Sequence, residues 1–254
     1  MLKNHHTARI SKFRTMNFDF FGGEVIAVNK PLLITSFQAV SKVKWAAKKY
    51  LSYHPEFVKD KEAKLKVGHA GTLDPLASGV LLICTGKKTK LISELQNTDK
   101  EYTGTFFIGA TTPCFDRERE IDATFPIDHI DEELIISTSK KFIGTIEQQP
   151  PAFSAVKVKG ERAYELARKG KTVEISSKLI TIKEFEITKT ALPLIEFRVV
   201  CSKGTYIRSL ARDFGKALNS GAYLHALCRT RVGEYALEKA WNLDELVNCL
   251  VKQV

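Results

Sequence analysis

The sequence predicts an α+β fold with a large, mainly antiparallel mixed sheet flanked by helices and loops. Three observations carry that expectation: apolar runs of strand length recur along the chain, helical spacing is confined to a few segments, and no internal repeat or Pro-rich linker divides it. With 254 residues, 44% of them hydrophobic, the chain can bury a substantial core.

Residues 1–15 carry Lys3, Arg9, Lys12 and Arg14 without apolar periodicity and read as a flexible basic arm ahead of a domain over 16–254. Val25, Ile26, Ala27 and Val28 form a short buried strand, closed by Asn29-Lys30-Pro31 because proline cannot donate to a ladder. Thr35 or Ser36 then caps a helix whose Phe37, Val40, Val43 and Ala47 share one face. Residues 51–66 are polar and charged and read as a loop. Strands are expected at Val80–Cys84, Tyr102–Ile108, 154–158, 179–187 and 194–201, and helices at 131–141 and 160–169. The clearest helix follows Thr205, where Ile207, Leu210, Ala211, Phe214 and Leu218 keep helical spacing up to Asn219 and Gly221.

Lys and Arg outnumber Asp and Glu by 39 to 29, a net charge of +10 that favours a polyanionic partner such as nucleic acid. Five widely spaced cysteines without a Cys-x-x-Cys pair fit a reducing cytoplasm, and the histidines form no metal-ligand pair, so no metal is expected. No apolar run reaches the length of a membrane span, and no signal peptide is evident, which gives a cytoplasmic expectation.

Three segments carry chemistry. Gly68-His69-Ala70-Gly71-Thr72-Leu73-Asp74-Pro75 is loop chemistry feeding a strand: its glycines permit tight turns, and Pro75 restricts Asp74 to an extended conformation, so one acid is presented rigidly. A lone Asp-Pro is otherwise a structural turn, and context decides between the two. In Cys201-Ser202-Lys203-Gly204-Thr205-Tyr206-Ile207-Arg208 a strand ends, glycine turns the chain and Thr205 caps a helix. Arg208 falls in that helix's first turn, where a cation is disfavoured unless a carboxylate or phosphate lies near. Lys100-Glu101-Tyr102 opens a strand with an aromatic residue and says little alone. Thr85-Gly86-Lys87-Lys88-Thr89 is not a phosphate-binding loop, because Leu81 stands where its first glycine belongs and Lys88 where Ser or Thr does. A glycosidase needs a second carboxylate that the Asp74 segment lacks.

In this order the segments resemble the tRNA pseudouridine-55 synthase family known as TruB. The likeness also rests on Lys90, Gln149-Pro150-Pro151, Ser154-Ala155-Val156-Lys157, Gly160, Ala163-Tyr164, Ala167-Arg168, Leu227, Arg229 and Gly233, and covers about residues 23–246. It implies a pseudouridine-synthase-like fold and a cofactor-free isomerase acting on the T-stem-loop of tRNA; a monomer is the default expectation. In that resemblance Asp74 is the nucleophile, Arg208 its charge partner, and Tyr102 stacks on the flipped base and assists proton transfer. Tyr206 and Leu227 line the pocket, His69 fills the space the base vacates, and Lys90 contacts the pocket or RNA. Three departures stand out: Leu33 replaces a glycine, Thr112-Pro113-Cys114-Phe115-Asp116 replaces Thr-Asp-Thr-x-Asp, and Cys228 replaces an arginine. The chain stops soon after Leu250, so the small PUA-type domain of many relatives is expected to be absent. The competing expectations are an RNA-binding or RNA-folding protein without catalysis, which would not need Asp74, and a guide-dependent relative within a ribonucleoprotein.

Overall fold

The computed structural model of the chain describes residues 17–58, 64–154, 156–158, 160–168 and 175–252. The expected basic arm, residues 59–63 of the expected loop and the expected helix end at 169 lie outside them.

The strands are β1 (Val25–Lys30), β2 (Val67–His69), β3 (Ala77–Thr85), β4 (Lys100–Ile108), β5 (Ala110–Thr111), β6 (Ala123–Thr124), β7 (Gly144–Gln148), β8 (Lys157–Val158), β9 (Glu161–Arg162), β10 (Lys178–Ala191), β11 (Leu194–Cys201), β12 (Ala222–Val232), β13 (Tyr235–Ala236) and β14 (Trp241–Asn242). The helices are α1 (Ser36–Tyr53), α2 (Ile92–Gln96), α3 (Glu132–Lys140), α4 (Ala163–Arg168), α5 (Ile207–Ala217) and α6 (Leu243–Val251). Ten strands form one mixed sheet in the order β14-β1-β3-β12-β4-β11-β10-β7, with β2 on β3 and β13 on β12. The α+β, mainly antiparallel expectation holds: among the described residues the parallel pairs are β1/β14 and β12/β3.

The described residues group into two compact units: those within 1–75, 80–96 and 237–254, and those within 76–79 and 97–236. In the first, α1 is nucleated by a capping box in which the Thr35 hydroxyl accepts from Gln38 N–H and the Gln38 side chain accepts from Thr35 N–H. The helix buries Ala39, Val43, Ala46, Ala47 and Tyr50. The Tyr50 hydroxyl accepts from Phe18 N–H at 3.1 Å, and its ring meets Phe18 and Phe20 edge-on. Phe37 does not share the buried face as its spacing suggested: it is 74% exposed. At 100° per residue it lies about 120° round the helix from Val43, beyond the apolar stripe.

The second unit is organised by an aromatic core. Phe106 of β4 stacks on Phe197 of β11 with ring centroids 4.1 Å apart, while Phe185 of β10 and Phe214 of α5 pack within 5.5 Å. These rings hold α5 against the sheet. Two further expectations are corrected here. The strand expected over 154–158 is confined among described residues to Lys157–Val158, and the helix expected from 160 begins at Ala163, after the short β8/β9 hairpin.

Candidate active site

The first unit carries His69, Asp74 and Lys90. His69 ends β2, where it pairs with Ile83 of β3, and Ala70 N–H donates to Leu82 O at 2.9 Å. Beyond Gly71 the chain is fastened on both sides of Asp74. The Ser36 hydroxyl accepts from Leu73 N–H at 2.8 Å and donates to Leu73 O at 3.0 Å, and Pro75 O accepts from Leu33 N–H at 2.8 Å. Both anchors use the backbone of the loop, so the half-buried Asp74 is aimed by its neighbours. The rigid presentation inferred from Gly71 and Pro75 therefore has a second source in the first turn of α1. Lys90 sits on a separate exposed 3-10 segment, Gly86–Leu91.

Leu33, the departure from glycine, keeps a glycine-like backbone: its φ is 68°, and its side chain is 78% exposed. An L-residue in that region costs roughly 1–2 kcal/mol, partly offset by the smaller chain entropy it loses on folding compared with glycine. Leu33→Gly is expected to raise unfolding free energy by about 0.5–1 kcal/mol, read as a higher urea midpoint at unchanged slope. A lower midpoint would show that leucine is not strained there.

The second unit carries Tyr102, Tyr206, Arg208 and Leu227. Tyr102, buried on β4, lies in register between Arg229 of β12 and Val199 of β11. Leu227 pairs with Gly104 on one side and Ala77 on the other. Two positions on from Ala77, Gly79 has φ 107°, and a Cβ there would collide with the Arg229 backbone, so glycine permits the close β3/β12 approach.

Tyr206, and not Thr205, occupies the N-cap of α5, because the Thr205 hydroxyl donates back to Ser202 O. Capping is replaced by a clamp from β7: the Gln148 side chain accepts from Tyr206 N–H at 2.8 Å and donates to Tyr206 O at 3.1 Å. Arg208 follows, buried in the first turn. One carboxylate lies beside it: Asp116, with Arg208 Nε 3.6 Å from Oδ2 and both side chains 7% exposed. Arg208 also donates to Cys114 O at 3.3 Å and Phe153 O at 3.0 Å. Such a buried pair is held by its additional hydrogen bonds as much as by Coulomb attraction.

Asp116 was not singled out from sequence. It lies in the altered segment 112–116, which retains this one acid and turns it inward: Phe115 takes φ 63°, Thr112 donates its hydroxyl to Asp116 O at 2.6 Å, and Asp116 Oδ1 accepts from Glu118 N–H at 2.9 Å. Arg212 covers the Phe115 ring at 5.0 Å from its centroid. Lys100 and Arg229, which the sequence offers only as members of motifs, are both buried charged groups. Burial, reinforced by the Arg229 guanidinium, pulls the Lys100 ammonium down to about 8, and its Nζ donates to Thr98 O at 2.5 Å.

Among the described residues no cluster of three His, Cys, Asp or Glu could hold a metal ion, and no helix is long and apolar enough to cross a membrane.

The chain's similarity to known proteins is extensive. Residues 59–207 match the family model for TruB family pseudouridylate synthase (N terminal domain). The tRNA pseudouridine synthase B of Flavobacterium johnsoniae is 58% identical over 222 residues, covering 87% of this chain and 93% of its own. That of Parabacteroides distasonis is 52% identical over 236 residues, covering 93% and 97%. Among solved structures, a chain in the crystal structure of a Cbf5-Nop10-Gar1 complex superposes with a TM-score of 0.65 at 29% identity over 91% of this chain. A chain of the archaeal box H/ACA sRNP Nop10-Cbf5 complex gives 0.63 at 25% over 93%. The present chain spans 54% and 57% of those two.

Proposed function

The chain belongs to the TruB family of pseudouridylate synthases, and from that premise we propose that it isomerises uridine 55 in the T-loop of tRNA, with Asp74 as nucleophile. It is an isomerase, and the names of its relatives support tRNA as the substrate. The observation that carries the reading is the doubly anchored loop around Asp74, which places one carboxylate with little freedom to move.

The reaction breaks the N1–C1′ bond, turns the uracil and forms a C5–C1′ bond, while a proton leaves C5 and one is gained at N1. Atoms and electrons balance within the substrate, so the chemistry calls for no redox partner. It calls for an ionised nucleophile, a pocket that keeps the detached base, and exclusion of water. Asp74 supplies the first, and Arg208 is assigned as the group favouring its charged form. Tyr102 is assigned to stack on the flipped base and assist the C5 proton, with Tyr206 and Leu227 lining the pocket. Folded RNA hides the reacting bond, so the base must first leave its stack, and His69 is assigned to fill the gap by stacking. Lys90 is assigned a contact with RNA, consistent with its exposure. Residues 16–254 act as one monomeric catalytic domain in this reading.

The test is incubation of purified protein with an unmodified tRNA transcript and no added cofactor, followed by carbodiimide-based primer extension. One new pseudouridine in the T-loop is the expected result. A site elsewhere would overturn position 55, and tight binding without any product would overturn catalysis.

A further inference from the structure

We propose that the outward face of α1 is a second RNA-contacting surface, which binds the substrate RNA outside the target nucleotide; it rests on the RNA-modifying reading above. Large aromatic side chains are normally drawn inward, yet Phe37, Trp45 and Tyr53 all stand on the exposed side of this one helix, Trp45 at 53%. Between them lie Lys44, half-buried, and the exposed Lys48 and Lys49. The 18-residue helix contains no Asp or Glu. Lys42 is a separate case, since it is paired with Asp244 of α6 at 3.2 Å.

At 100° per residue, Lys44, Phe37, Lys48, Trp45 and Lys49 fall within an arc of about 140°. Aromatic faces interleaved with ammonium groups, on a helix with no acid of its own, suit an RNA strand, in which bases stack on rings and phosphates meet cations. The charge argues against an apolar protein helix as the occupant: a face carrying three lysines would have to be desolvated to seat one. The surface also begins beside the reaction loop. Phe37 follows Ser36, whose hydroxyl holds Leu73 from both sides. A rise of 1.5 Å per residue carries Lys44 to Lys49 about 10–18 Å further along the axis, past the reach of a single nucleotide. The contacts therefore fall on flanking RNA.

The chain contains two tryptophans, so Trp241→Phe leaves Trp45 as the only reporter. Titrating that variant with unmodified tRNA transcript is expected to quench Trp45 emission, saturating at the RNA concentration where filter binding saturates. In a second variant, Lys44→Gln, Lys48→Gln and Lys49→Gln are combined. Its affinity at about 0.15 M salt is expected to fall about tenfold, and the slope of log K against log salt to lessen by about 2. KM should rise at unchanged kcat, with thermal melts coincident with the parent protein's. Unaltered Trp45 emission with RNA bound, or an unaltered salt slope, overturns the inference. So does a Trp45 signal that follows protein concentration and not RNA, which would place a second copy of the chain on this face. If the parent protein neither binds nor modifies tRNA, the functional reading itself has failed, and that outcome is distinguishable because it appears before any substitution.

Discussion

Asp74→Asn is expected to lower turnover by roughly 10⁴-fold or more, the scale seen when a nucleophile is removed from an otherwise intact site, while RNA affinity changes only a few-fold. The substitution is informative because of how the loop is held. The Ser36 hydroxyl grips the backbone of Leu73 on both its N–H and C=O, and Leu33 N–H grips Pro75 O. Neither anchor uses the Asp74 side chain, so a neutral amide of the same shape should leave the loop in place. Pro75 restricts residue 74 to extended conformations whichever side chain it bears. The loss would then report the missing negative charge. Release of tritium from tRNA labelled at uracil C5 measures it directly, with Asp74→Ala as a second variant that cannot revert by deamidation. Undiminished release from either variant would remove Asp74 from the mechanism.

What could be read from the sequence and what could not divides along physical lines. β11 falls at the expected residues, and β10 extends the expected 179–187 to Lys178–Ala191, because its pairing with β11 continues out to Ala191 opposite Leu194. β12 was not foreseen, although it is central to the sheet. Irregularities between Leu224 and Ala226 and between Arg229 and Arg231 break its period of two, and its buried Arg229 reads as a solvent residue. The Asp74 loop was legible because glycine and proline constrain the backbone locally. Ser36, its anchor, lies 37 residues from Leu73, and only folding brings the two together. Asp116 was illegible for a similar reason: its inward direction depends on a left-handed Phe115, a conformation that no periodicity announces.

The second large effect is expected at Arg208. Arg208→Ala would remove the guanidinium from the buried Asp116 carboxylate and from the carbonyls of Cys114 and Phe153. Breaking a buried ion pair from one side costs about 3–5 kcal/mol, which should appear as a marked drop in the urea midpoint. Arg208→Lys tests what the fork contributes. A single ammonium keeps the charge but cannot meet three acceptors that a planar guanidinium reaches at once, so part of the stability should return and most of the activity should not. Asp116→Asn separates the two roles from the other side. It keeps an acceptor for Glu118 N–H and removes the charge, so Arg208 loses the ionic contact with residue 116 and keeps its carbonyl contacts. If Arg208 also serves the reacting carboxylate, as proposed, Arg208→Lys lowers kcat for tRNA by at least about 100-fold, the loss expected when a charge-stabilising donor is misplaced, at nearly constant affinity. A rise in KM at unchanged kcat would instead assign Arg208 to a phosphate of the RNA, and full activity in a destabilised Arg208→Lys would confine it to the architecture of α5.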